Sequence, residues 1–182
     1  MLKKLLIILL IFNFFSCGFQ VIYKDDASSP NSYASELAAI RIKKDRNKYD
    51  QELKNDLYDL LNPDYLKVEP KYFLILKSSR STASTYTTGT GSSGRNKVSL
   101  TVNYELLDLN TGKKISEGST TLNDSYTVST NRFGTYSASE YLESNMNRVV
   151  AQNIRDSLVN DIIEIKRKEL EEQEKSIPAS NN

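Results

Sequence analysis

The chain has no histidine, no tryptophan and a single cysteine among its 182 residues. Without histidine it lacks the usual general base near neutral pH and the commonest metal ligand. One cysteine allows neither an intramolecular disulfide nor a cysteine–histidine metal cluster, so stability has to come from burial. A Walker-type glycine loop and a Gly-x-Ser-x-Gly elbow are also missing. An enzyme is therefore not expected, nor is a cofactor or a resident metal. Basic and acidic residues nearly cancel, 24 against 23, which argues against a nucleic-acid partner, because such surfaces are strongly cationic.

Long hydrophobic runs are equally scarce, and the one present is informative. Met1 to Lys4 forms a short basic head, Leu5 to Phe15 is apolar except for Asn13, and Ser16 then precedes Cys17. The run is too short to span a bilayer core, which takes about 20 apolar residues, so it reads as a secretory signal. A cysteine at the cleavage point has a chemical use. Its sulfur accepts a diacylglyceryl group, and cleavage frees its amine for a further acyl chain. The segment thus resembles a bacterial lipoprotein signal, with Phe14 and Phe15 where a leucine and a small residue are commoner. Residues 1–16 are read as the signal, residues 17–36 as a lipidated N-terminus and spacer, and Cys17 as the lipidation site. Gly18 stands where an aspartate would hold many lipoproteins at the inner membrane, which favours the outer membrane.

The remainder suits one domain, expected over residues 37–166. Leu37 to Lys43 alternates Ala38, Ile40 and Ile42 on one face and predicts a strand. Tyr49, Leu53, Leu57, Leu60 and Leu61 make one apolar stripe at helical spacing, predicting a helix over Lys48–Leu61 that Asn62-Pro63 stops. Tyr72 to Leu76 reads as a compact strand. Ser78 to Asn96, rich in serine, threonine and glycine, reads as the splayed tip of a hairpin. Val98, Leu100, Val102, Tyr104 and Leu106 alternate with polar residues, the clearest strand pattern in the chain. Asp108 to Lys113 is turn chemistry around Gly112, and Ile115 to Ser129 is expected to return antiparallel. Ser137 to Glu140 matches a capping box, and Leu142, Met146, Val149, Val150, Ile154, Leu158, Ile162 and Ile165 then hold one helical face, with Val149 expected among the buried residues. Residues 167–182 read as a charged, disordered tail. The expected fold is α+β: a mostly antiparallel four-stranded sheet with two helices packed on one face.

With Cys17-Gly18-Phe19 at the mature start, the Val98–Tyr104–Leu106 strand, its Asp108…Thr111-Gly112-Lys113 turn, the Ser119…Tyr126 return strand and a long final helix, the chain resembles the LPS-assembly lipoprotein E (LptE) family. The resemblance covers about residues 17–165. It implies a plug inside the outer-membrane barrel LptD, which helps that barrel fold and assists lipopolysaccharide to the outer leaflet. The implied partners are thus the LptD barrel, lipopolysaccharide and the membrane, through the N-terminal lipid.

Arg95 and Lys97 at the end of the hydroxyl-rich segment, with Arg80 at its start and Arg132 in Asn131-Arg-Phe-Gly134, are cations suited to phosphates, arginine in bidentate fashion. Arg95, Lys97 and Arg132 are the candidate lipopolysaccharide-binding residues; the plainer alternative is that they only solubilise turns. Eight of the eleven tyrosines, Tyr49, Tyr58, Tyr65, Tyr72, Tyr104, Tyr126, Tyr136 and Tyr141, could furnish a barrel-facing belt, with half of them expected in the core because Tyr49 and Tyr104 fall on apolar stripes. A different class also fits the signal and size: an accessory lipoprotein of a lipid or efflux transporter, or a pilotin that escorts another barrel. A carboxylate hydrolase would need two acids converging in a cleft, and the acids here fall in turns or on polar helix faces.

Overall fold

The computed structural model describes residues 33–43, 48–87 and 93–176. The signal run, Cys17, the Ser28–Asn31 turn, the hairpin residues 88–92 and the last six residues lie outside that set. Seven elements follow one another: α1 (Tyr33–Ala38), β1 (Ile40–Ile42), α2 (Lys48–Leu61), β2 (Tyr72–Thr87), β3 (Ser93–Asp108), β4 (Lys114–Thr127) and α3 (Arg132–Ser176).

The strands form one sheet in the order β1-β2-β3-β4. β2–β3 and β3–β4 are antiparallel, as expected, while β1 runs parallel to β2 with Ile40 beside Tyr72 and Ile42 beside Leu74. The α+β class and the four strands stand, and the sheet is mixed. A parallel neighbour requires a crossover, and α2 supplies it between β1 and β2.

The alternation in β3 does what its sequence requires. Val98, Leu100, Val102, Tyr104 and Leu106 are all buried, while Asn103 on the other face is exposed. The buried face is covered by both helices. Leu53, Leu57 and Leu61 of α2 and Leu142, Met146, Val150, Ile154, Leu158 and Ile162 of α3 close a single core with β2 and β3. Val149 is only half-buried, at the margin of the stripe.

Four expectations need correction. Tyr33 to Glu36 is helix, not spacer, and Ser35 and Glu36 are buried. Glu36 accepts from Lys71 Nζ at 2.7 Å and Tyr72 OH at 3.2 Å, and Lys166 stands 3.8 Å away. These partners, distant in sequence, hold the turn of α1 in place and cut the following strand to Ile40–Ile42. The hairpin is also longer than its composition suggested. Pairing continues from Ser78↔Val102 through Ser84↔Asn96, slips, and resumes at Tyr86↔Arg95 and Thr87↔Ser93. Threonine favours an extended backbone, and β4 supports the ladder from the far side.

α3 begins at Arg132 rather than at Ser137. Asn131 Oδ1 accepts the Phe133 N–H at 3.0 Å, an N-cap bond, and Thr135 Oγ1 exchanges bonds with Ser129. Ser137 lies within the helix, and Glu140 accepts from Tyr136 OH at 2.9 Å instead. The helix also continues beyond Lys166 to Ser176. Its apolar stripe has ended there, but Lys168–Glu164 at 3.0 Å and Arg167–Glu171 at 3.6 Å support the exposed turns. Among the described residues no helix is long and apolar enough to cross a membrane.

Candidate functional site

Arg95 and Lys97 sit on β3 at odd-numbered positions, so both project from the sheet face opposite the helices. Both are exposed. Arg95 Nε donates to Ser125 Oγ on β4 at 2.9 Å, and the Arg95 carbonyl accepts from Thr85 Oγ1 on β2 at 3.3 Å. The two cations line a shallow depression with Thr85, Asn123, Asp124 and Ser125. Hydroxyls of Thr85 and Ser125, the Asn123 amide and the Asp124 carboxylate, from β2 and β4, thus surround two positive charges on a shallow surface.

Arg132 belongs to the same end of the molecule. Arg95 pairs with Thr127, the Val128 N–H donates to the Gly94 carbonyl at 3.1 Å, and α3 begins four residues later. Arg132 is the first helical residue there and is exposed. The structure therefore gathers Arg95, Lys97 and Arg132 at one pole.

Arg80 is not part of that group. It is an even-numbered β2 residue beneath the helices, ion-paired with Glu143 and hydrogen-bonded to Asn147 Oδ1 at 3.3 Å. Asn147, almost fully buried, donates in turn to Glu52 at 3.1 Å. This chain of bonds ties β2 to α2 and α3, and its role is structural.

Sequence reading named Tyr136 and Tyr141 as candidates for an exposed belt and missed Phe133. Phe133, Tyr136 and Tyr141 are 77%, 62% and 76% exposed on the first turns of α3, unusual for residues that gain so much by burial. Recognising Asn131 as the cap would have placed all three on a helix and off its core stripe. Other tyrosines divide as expected: Tyr72 and Tyr104 are buried, Tyr33, Tyr58 and Tyr126 pack partly against the core, and Tyr65 is exposed.

The opposite end is tied down by charge. Burial, then the charge and hydrogen bond of Glu36, push the Tyr72 phenol well above the ordinary tyrosine range. The Thr111 backbone N–H and hydroxyl hold the Asp108 carboxyl below its usual value, fixing the β3–β4 turn. Gly112 takes the positive φ of 67° that this turn needs. Among the described residues no cluster could hold a metal ion.

Neither a family model nor a curated protein matches the chain. Solved structures do. A candidate lipoprotein from Caulobacter crescentus CB15 superposes with a TM-score of 0.60 at 17% identity, over 72% of this chain and 95% of its own. The rare lipoprotein B of Shewanella oneidensis gives 0.54 at 13% identity, over 70% and 96%. A minor lipoprotein from Acinetobacter baumannii gives 0.50 at 17%, over 67% and 89%. At these identities the likeness is one of fold, and it extends over nearly the whole of each of the three chains.

Proposed function

We propose that this protein is an outer-membrane lipoprotein, anchored by acyl chains on Cys17, that plugs and helps assemble a barrel of the LptD kind and assists lipopolysaccharide into the outer leaflet. It is not an enzyme on this reading. The observation that carries the proposal is the sheet face turned away from the helices. Its rows run Ser79–Thr101–Thr121, Ser81–Ser99–Asn123 and Lys77–Asn103–Ser119 across β2, β3 and β4. A broad face of hydroxyls and amides on a stiff sheet suits the polar wall of a barrel lumen, where hydrogen bonds rather than apolar contact must be satisfied.

At one end of that face Arg95 and Lys97 offer charge-assisted bonds to phosphates, and Phe133 and Tyr136 near Arg132 offer apolar surface to the attached chains. A ligand with both phosphate and acyl parts matches the pair of features. Two of the fold's solved relatives are described as rare and minor lipoproteins, in keeping with the signal read at Met1–Cys17.

The test is to isolate the natively lipidated protein from outer membranes in mild detergent and identify what accompanies it. The expected result is one barrel in one-to-one ratio. Recovery without any barrel would favour the accessory-lipoprotein reading instead.

A further inference from the structure

The outer side of the α2–α3 pair carries a depression that lies outside the core. Tyr141, Ser144, Asn145 and Arg148 stand at i, i+3, i+4 and i+7 of α3 and so share one face of the helix. With Asp56 of α2 they line a recess of about 180 Å³, room for one small ring and less than a drug-sized ligand takes. Tyr141 leaves most of its ring in solvent there. Arg148 donates to Asn145 Oδ1 at 2.8 Å, which holds the guanidinium and the amide in one arrangement. The bond that ties the two helices runs elsewhere, from Asn147 to Glu52 at 3.1 Å. The Asp56 carboxyl is raised above its ordinary value by burial, then by the charges of Glu52 and Asp59, with Arg148 acting against them. A hydroxyl that donated to it would stabilise the ionised form.

The geometry points to a binding site for an uncharged sugar ring, one pyranose unit of a longer glycan, seated on the face of Tyr141. The lining decides the class. Asp56 accepts hydrogen bonds, Arg148 donates them, and Asn145 and Ser144 do both. That mixture matches hydroxyl groups, which are donors and acceptors at once. A phosphate or carboxylate is disfavoured, because Asp56, with Glu52 and Asp59 on the same helix, repels it. An apolar ligand is disfavoured, because no aliphatic side chain lines the recess. The remaining wall is an aromatic ring, whose negative face attracts the polarised C–H bonds of a sugar. The site is separate from the cationic pole, since Tyr141 stands nine residues beyond Arg132, about 14 Å along the axis of α3. It holds whether or not the domain plugs a barrel. Two sources present such a ring in a bacterial envelope: the sugar part of a glycolipid and the amino-sugar strand of the cell wall.

The test is calorimetric titration of the detergent-purified full chain, in a detergent without sugar headgroups. One probe is a neutral saccharide fragment cut from lipopolysaccharide and the other a soluble N-acetylglucosamine tetramer, which separates the two sources. At least one should bind with a dissociation constant of about 1 mM or tighter. Added salt should change it little, because the ligand carries no charge. Tyr141→Ala should raise the constant about tenfold or more, while Tyr141→Phe, which keeps the ring, should stay within about twofold. Asp56→Ala should weaken binding as well. Neither residue belongs to the core, so the circular dichroism spectrum should not change. Arg95→Glu with Lys97→Glu should leave the titration as it is. No binding of either probe up to about 10 mM, equal binding by Tyr141→Ala, or loss of binding in the Arg95 and Lys97 variant would each overturn the inference.

Discussion

Gly118 lies directly across the ladder from Tyr104, and a Cβ on Gly118 would stand 2.5 Å from Cε1 of the tyrosine ring. The ring lies flat over the glycine on the helix-covered face, and its hydroxyl points toward Asp161, which accepts from Ser116 Oγ at 2.7 Å. Gly118 is needed here for room, not for an unusual φ. Gly118→Ala is expected to displace the ring and destabilise the fold by about 1–3 kcal/mol, as overpacking does. Adding Tyr104→Leu should recover part of that loss, and a double-mutant cycle by urea denaturation measures the coupling. Strict additivity would show that the two do not compete for the same space.

Ile154 and Leu158 are fully buried where α3 crosses the sheet. Truncation of either to alanine should cost about 2–5 kcal/mol, the sum of lost transfer energy and the cavity left behind. Val149, half-buried on the margin of the same helix, should lose well under half of that on the same change, as read from urea midpoints.

What the sequence reveals is whatever has a strong period. β3 alternates, α2 and α3 carry their stripes, and these elements and the core they build are where the patterns place them. α1 is too short to show a period, and it depends on Glu36 reaching Lys71, Tyr72 and Lys166, partners distant in sequence. The length of the hairpin was hidden because serine and threonine suit a turn as well as a strand, and only the register with β4 decides. At the candidate site, Arg95, Lys97 and Arg132 were legible as cations. That they share one pole, and that Arg80 belongs to a buried network instead, depends on strand parity and on the cap at Asn131.

Tyr72 ties stability to alkaline pH. Its phenol is raised by burial and by Glu36, so the fold favours the neutral form. Stability from this group is fully present below the unfolded tyrosine value of about 10 and is lost as pH rises above it toward the higher folded value. Tyr72→Phe should lower stability at neutral pH by about 0.5–1.5 kcal/mol, the worth of its bond to Glu36, and flatten the decline above pH ~10. Urea midpoints between neutral and alkaline pH measure both. An unchanged alkaline slope would mean that other groups carry it.

The end of α3 offers a separation of helicity from stability. Beyond Lys166 its ion pairs are exposed, with side chains of Arg167, Lys168, Glu164 and Glu171 all more than half accessible. Exposed pairs contribute about 0–1 kcal/mol each. Deleting residues 168–182 should reduce the helical signal at 222 nm while moving the melting temperature only slightly. A large drop in melting temperature would show that this segment packs on the domain.

The cationic pole is the part of the proposed function open to direct attack. Arg95 and Lys97 are exposed, and neither side chain enters the core. Arg95→Glu with Lys97→Glu should therefore leave the circular dichroism spectrum and any barrel complex intact. It should weaken binding to purified lipopolysaccharide by at least about tenfold, since two charge-assisted contacts to phosphate become repulsions. Adding Arg132→Glu should weaken it further. The loss should be larger at low salt than at high salt, because exposed charges more than a Debye length apart are screened as ionic strength rises. Phe133→Ser, tested beside these, should reduce binding without altering the salt dependence, since it removes apolar contact alone. Binding unchanged in the double charge reversal would remove Arg95 and Lys97 from the site and leave the hydroxyl face as the surface to examine.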